Sequence, residues 1–144
     1  MTTPQYDDQN IFAKILRGEI PCHKIYEDDK TFAFLDVMPK ADGHSLVLPK
    51  NPSRNILDVA EDDLNAVTAT TQKIAKAIMI AFEADGVTVQ QNNEPAGGQE
   101  VYHLHFHVLP RHEGLPLRPQ TGKMADNDLL AGHAEKLREA LKSI

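Results

Sequence analysis

An α+β fold, an antiparallel sheet of about five strands with one long helix packed on it, is what this 144-residue chain predicts. Three observations predict it. Strand-like runs come in succession and are not interleaved one for one with helices, which argues against a parallel α/β sheet. One long stretch, 61–84, carries apolar residues at steps of three and four. A third run, His103-Leu104-His105-Phe106-His107, alternates imidazole with apolar side chains at the period of a β-strand.

Taken in order, residues 1–10 are polar and read as a flexible N-terminus. Ile11, Phe12, Ile15 and Leu16 then recur at helical spacing, with Asn10 as a cap and Gly18 and Pro21 as stops, which predicts a short helix. Segments 24–27, 31–36 and 44–48 read as three strands separated by the turn-rich 28–30 and 39–43, most simply an antiparallel meander. In the long helix, Leu64, Val67, Thr71, Ile74, Ile78 and Phe82 form one stripe, acids at Glu61 to Asp63 suit its positive end, and Gly86 is the expected stop. Two more strands are expected at 87–91 and 102–109, joined by a glycine-containing loop at 92–100. Leu130, Ala134, Leu137 and Leu141 predict a C-terminal helix. No repeat or long linker divides the chain, so 1–144 is expected to be a single domain, with 113–144 as a C-terminal extension.

Composition narrows the classes of partner. A formal charge of −6 argues against an electrostatic grip on nucleic acid. The lone cysteine, Cys22, cannot form an internal disulfide, and nothing near Asp7 and Asp8 resembles a signal peptide. No apolar run approaches the roughly 20 residues of a membrane span. The expected setting is cytoplasmic, with neither membrane nor nucleic acid as partner.

On a strand, the spacing of His103, His105 and His107 aims all three imidazoles to one face. Three rings satisfied purely as structural elements need many hydrogen-bond partners. Two chemical readings remain open on spacing alone: a zinc site with an open position, and nucleophilic catalysis by a neutral imidazole held in one tautomer. The loop before the histidines, with Gly97 and Gly98, allows backbone amides to approach an anion and suits phosphate more than metal. Asp36 and His44 flank a short turn, where a carboxylate can take ribose hydroxyls and a fourth histidine can join the cluster, although an Asp before a turn is ordinarily a turn-former.

The run His103-Leu104-His105-Phe106-His107-Val108-Leu109, preceded by Gly98-Gln99-Glu100-Val101, resembles the signature of the histidine-triad (HIT) family. The segments 11–15, 18–21, 26–29, 34–37 and 43–50 resemble its Hint branch in order and spacing, so that the likeness spans about residues 11–112. The resemblance implies a purine-nucleotide hydrolase or nucleotidyl transferase acting at the α-phosphorus of phosphoramidates, acyl-adenylates or dinucleoside polyphosphates. His105 would be the nucleophile, oriented by the carbonyl of His103. His107 would bind phosphate oxygens and His44 would fix the hydrogen bonding. Asn92 would contact the phosphate or leaving-group side, Gln99 and Gly98 would build the phosphate loop, and Asp36 would take the ribose hydroxyls. Ile11, Phe12, Ile15, Ile20, Phe34, Val37 and Leu46 would form an apolar slot for the base, though such residues serve equally as ordinary core.

Neither a cofactor nor a metal is expected, since Ala13 stands where some bacterial relatives place a zinc-binding cysteine. Glu100 stands where the eukaryotic Hint and fragile-triad branches carry Ser or Thr, and an ionised carboxylate cannot donate a hydrogen bond. The resemblance further implies a homodimer built through the long helix and adjoining strand. The competing functions are a nucleotide-binding regulatory or scaffold protein with incidental hydrolysis, and a metal-dependent hydrolase using the three strand histidines.

Overall fold

The computed structural model describes residues 5–119 and 122–144. Asn10, in extended backbone, accepts the Ala13 amide on its side chain and opens α1, Ile11–Leu16. The expected meander follows: β1 Lys24–Glu27, β2 Thr31–Leu35 and β3 Ser45–Pro49, all antiparallel. Asp28 sets the first turn, its carboxylate accepting the amides of Lys30 and Thr31 and the Thr31 hydroxyl.

Helix α2, Glu61–Ala81, has no side-chain cap but carries Glu61, Asp62 and Asp63 in its first turn, where carboxylates favour the positive end of the helix dipole. It ends before the expected Gly86 stop. The left-handed residue beyond it is Glu83, at φ +48°, while Gly86 opens β4, Gly86–Gln90. The last strand, β5 Phe106–Arg111, inserts between β3 and β4, giving one sheet in the order β1-β2-β3-β5-β4. Helix α3, Asn127–Leu141, starts on Asp126, whose side chain accepts the Leu129 amide. No described helix is long and apolar enough to cross a membrane.

The period of two along the strands sorts the core into two layers. Ala33, Leu35, Val47, Phe106 and Val108 face Val67, Ile74 and Ile78 of α2 and Leu130, Ala134 and Leu137 of α3. Each large aliphatic side chain buried there contributes about 1.5–3 kcal/mol. The opposite sheet face holds Phe32, Phe34, Leu46 and Leu48, covered by Phe12 of α1. Both long helices therefore occupy one face, and the other is left to a single short helix and the histidine run.

One strand boundary departs from expectation. The histidine run was expected within a strand at 102–109, but β5 begins at Phe106, so His103 and His105 precede it. The ladder ends for lack of partners: β3 pairs only as far as Val47 opposite Phe106, and β4 only to Gln90 opposite His107. Upstream, the Leu104 amide donates to the Ser53 carbonyl at 2.9 Å and the His103 ring takes the Pro49 carbonyl at 2.7 Å, bonds that replace a ladder. His105 and His107 are in edge-to-face contact, centroids 5.0 Å apart, while His103 is engaged with Pro49 and Tyr6.

Candidate active site

Four buried or half-buried histidines occupy the sheet face opposite the long helices, and backbone geometry assigns a tautomer to each. The Lys40 amide, which can only donate, points at Nδ1 of His44 at 3.1 Å. The neutral His44 ring therefore carries its proton on Nε2 and donates it to Nδ1 of His107 at 2.9 Å. His107 in turn carries its proton on Nε2. In His105, Nδ1 donates to the His103 carbonyl at 2.7 Å, which leaves an unprotonated Nε2 with its lone pair available. In His103, Nε2 donates to the Pro49 carbonyl, so Nδ1 is the acceptor of the Tyr6 hydroxyl at 2.6 Å.

Burial keeps these rings uncharged. Desolvation lowers His44 to about 3, with the neighbouring His107 and Lys40 adding to the effect. It lowers His103 and His107 to about 4. His105 is also lowered by burial, opposed by its bond to the His103 carbonyl and by the charge of Glu100. With His44 neutral, its 3.7 Å approach to Asp36 is not an ion pair. Asp36 is pushed up, chiefly by burial, although one of its oxygens accepts the Met38 amide at 2.8 Å and so also forms the expected turn. Glu100 is exposed, and its charge raises the pKa of both Asp36 and His105.

Asp36, His44 and His107 are the described residues whose potential ligand atoms cluster, within 4.8 Å of one another. The set suits a hydrogen-bond chain better than a cation. A metal on Nε2 of His44 needs the ring proton moved to Nδ1, where it would meet the Lys40 N–H.

Gln99 is buried and its side chain is wholly committed to the loop. Nε2 donates to the carbonyls of Arg54 and Val101, and Oε1 accepts from Asn55 Nδ2 and the Glu94 amide. Glu94, at φ +64°, is held there by Arg54 through two hydrogen bonds, and the Arg54 guanidinium lies 4.2 Å over the Tyr102 ring. This network fixes the loop whose 3₁₀ turn, Pro95–Gly97, leads into Gly98 at φ +91° beside the Asn92 side chain. Gly98 is a residue where only glycine adopts the backbone without strain.

Of the expected slot residues, Phe12, Ile15, Phe34 and Leu46 cluster on this face, and the Phe12 ring meets His105 edge-on at 4.8 Å. Ile11 is exposed and Ile20 lies outside that cluster. Val37 packs against the helix-side core instead, its carbonyl accepting the Ala125 amide. Sequence reasoning missed Tyr6, the Lys40 amide, Arg54, Asn55 and Glu94. The polar run Ser53-Arg54-Asn55 before the long helix was the one available signal; the rest act through long-range or backbone contacts without local pattern.

A five-stranded antiparallel sheet bearing a cluster of neutral, paired imidazoles on one face defines a histidine site on an α+β scaffold. Residues 17–114 match the family model described as the HIT domain, and the chain belongs to that family, in its Hint-like branch. It is 34% identical over 141 residues to an adenosine 5'-monophosphoramidase of Candida albicans, covering 93% of this chain and 92% of that one. Among solved structures, it is similar to a Hit-like protein involved in cell-cycle regulation from Bartonella henselae, with TM-score 0.89, 51% identity and coverage of 94% of this chain and 99% of that one. A Zn-bound histidine triad family protein from Mycobacterium smegmatis superposes with TM-score 0.83 at 32% identity, covering 94% of each chain.

Proposed function

We propose that this protein is a nucleotidyl hydrolase or transferase acting on purine nucleotide conjugates, with His105 as nucleophile toward the α-phosphorus. The observation that carries the reading is the His105 tautomer: Nδ1–H is consumed by the His103 carbonyl at 2.7 Å, so Nε2 presents a lone pair. In the first step Nε2 forms a bond to phosphorus as the bond to the leaving group breaks. The leaving group departs with the electron pair and takes a proton from solvent. Water then attacks phosphorus, the P–N bond breaks back to neutral His105, and the water proton is released. His107, protonated on Nε2 through the Lys40 to His44 chain, donates to a phosphoryl oxygen as charge develops. Asp36 takes the ribose hydroxyls, the 92–100 loop receives the phosphate, and Phe12 with its neighbours borders the base.

The relatives include proteins named as adenosine 5'-monophosphoramidases in Candida albicans and Saccharomyces cerevisiae and one named adenylylsulfatase in Arabidopsis thaliana, which favours phosphoramidates and adenylyl sulfates as substrates. The working form is a cytoplasmic homodimer that needs no metal or cofactor and binds neither membrane nor nucleic acid. The test mixes the protein with a fluorogenic adenosine phosphoramidate, with and without chelator, and searches by mass for a nucleotidyl adduct. Wild type is expected to turn over in chelator and to form an adduct on His105, while His105→Ala loses at least a thousandfold in kcat. Equal turnover by that variant removes the nucleophile assignment, and loss of wild-type turnover in chelator favours metal-dependent hydrolysis.

A further inference from the structure

The geometry points to Tyr6 as a positioning residue for the nucleophile, acting through His103. This rests on the reading of His105 given above and extends it to the N-terminal segment. The peptide unit joining His103 to Leu104 is the element that orients His105, because its carbonyl accepts the Nδ1 proton. Its other end is tied as well, the Leu104 amide donating to the Ser53 carbonyl at 2.9 Å. The remaining handle on that peptide is the His103 side chain, which is 1% exposed and clamped at both nitrogens. One clamp is main chain, the Pro49 carbonyl at the end of β3. The other is the Tyr6 hydroxyl at 2.6 Å, with the phenol ring edge-on to the imidazole at 5.6 Å.

Donor logic gives the hydroxyl a specific duty. The Pro49 carbonyl accepts only, so the His103 proton belongs on Nε2 and Nδ1 must be an acceptor in a site closed to bulk water. Without the phenol, that buried acceptor has no partner, and an unsatisfied buried group carries its full desolvation penalty. The ring relieves this by rotating, or by moving its proton to Nδ1 and setting two acceptors face to face at Pro49. Either response moves the His103 carbonyl and with it the aim of Nε2 on His105. The same N-terminal segment also sets the other neighbour of His105. Asn10 caps α1 while its side-chain amide holds the Asp7 carbonyl, and α1 delivers Phe12 against the His105 ring. Arg17 donates to the Asp8 carbonyl and closes the segment onto α1.

The test compares wild type, Tyr6→Phe and His105→Ala on a fluorogenic adenosine phosphoramidate, alongside imidazole ¹⁵N spectra recorded without substrate. Tyr6→Phe keeps the ring contact and deletes only the hydroxyl. Expected are a fall in kcat of about tenfold, KM within about twofold, and a melting temperature that leaves the variant folded at assay temperature. In the spectra, wild-type His103 is expected with its proton on Nε2, and Tyr6→Phe with a changed proton distribution or a shifted His105 Nδ1 signal. Wild-type kcat in Tyr6→Phe overturns the proposal, as does a raised KM with kcat unchanged. If Tyr6→Phe fails to fold, the wild-type spectrum decides: a His103 proton on Nδ1 overturns the proposal and one on Nε2 with a hydrogen-bonded Nδ1 supports it. Full turnover by His105→Ala removes the nucleophile instead, and the substrate-free spectra still judge the Tyr6 clamp on their own.

Discussion

The buried imidazoles are costly side chains that desolvation keeps neutral, each with at least one ring nitrogen held by a hydrogen bond. That has a consequence for stability against pH. The unfolded chain binds protons on these rings below about pH 6.5, whereas folded His103 and His107 resist protonation to about 4 and His44 to about 3. A folded pKa below the unfolded one means stability is fully present above about pH 6.5 and declines as pH falls. Each of these three rings contributes on the order of 3–5 kcal/mol in full, partly offset by Asp36, whose raised pKa works in the opposite direction. Urea midpoints should therefore drop steadily between pH 7 and pH 4, and His103→Gln should flatten the slope. A wild-type midpoint constant across that range would show that the rings are charged or solvated in the folded protein.

At the level of elements, the turn between β2 and β3 is the critical joint, because it carries Asp36 at one end, the Lys40 amide in the middle and His44 at the other. The far side of the molecule holds it in place. Arg118 donates its amide to the Lys40 carbonyl at 2.7 Å and pairs its side chain with Asp42, so the segment entering α3 straps the turn. Gly43 has φ +90°, and a Cβ there would lie 2.4–2.8 Å from carbons of the Phe82 ring, which itself packs edge-on to His133 of α3. Gly43→Ala is expected to cost about 2–4 kcal/mol, combining backbone strain with overpacking. Activity should fall with it, since His44 is the next residue. Adding Phe82→Leu should restore part of the melting temperature by relieving the clash while leaving the backbone strain. A melting temperature within a degree of wild type for the single variant would mean the turn has more freedom than this packing allows.

For the whole molecule, the sheet has two edge strands, β1 and β4. Val89 on β4 is 50% exposed. On α2, Met79 and Ile80 are also exposed apolar residues. An open edge with apolar side chains invites pairing with a second chain. We expect a twofold dimer through β4 and α2, with a sedimentation mass of twice 16.0 kDa. Val89→Lys should raise the dimer dissociation constant at least tenfold. A 16.0 kDa species at micromolar wild type would place the site wholly within one subunit.

Much of the fold was legible because its signals are local: Asn10 before α1, the Leu64 to Ile78 stripe of α2, and the Asp28 turn each declare themselves within a few residues. The His103 to His107 alternation also picked out residues that gather in one buried cluster, but it misplaced the strand, since a period of two says where side chains can point and not where neighbouring strands run out. Roles for the individual rings came only as expectations from the resemblance. That His105 has a free Nε2 depends on a carbonyl two residues away and on a peptide anchored by Ser53 and Pro49. That His107 presents a proton depends on the Lys40 amide, whose identity is that of any main-chain N–H and leaves no mark in the sequence. Tyr6 is separated from His103 by 97 residues. The chain by itself determined which elements form and which residue types gather. Tertiary structure decided the proton positions that turn chemically alike imidazoles into different groups, because a tautomer is set by the partner each nitrogen meets in space.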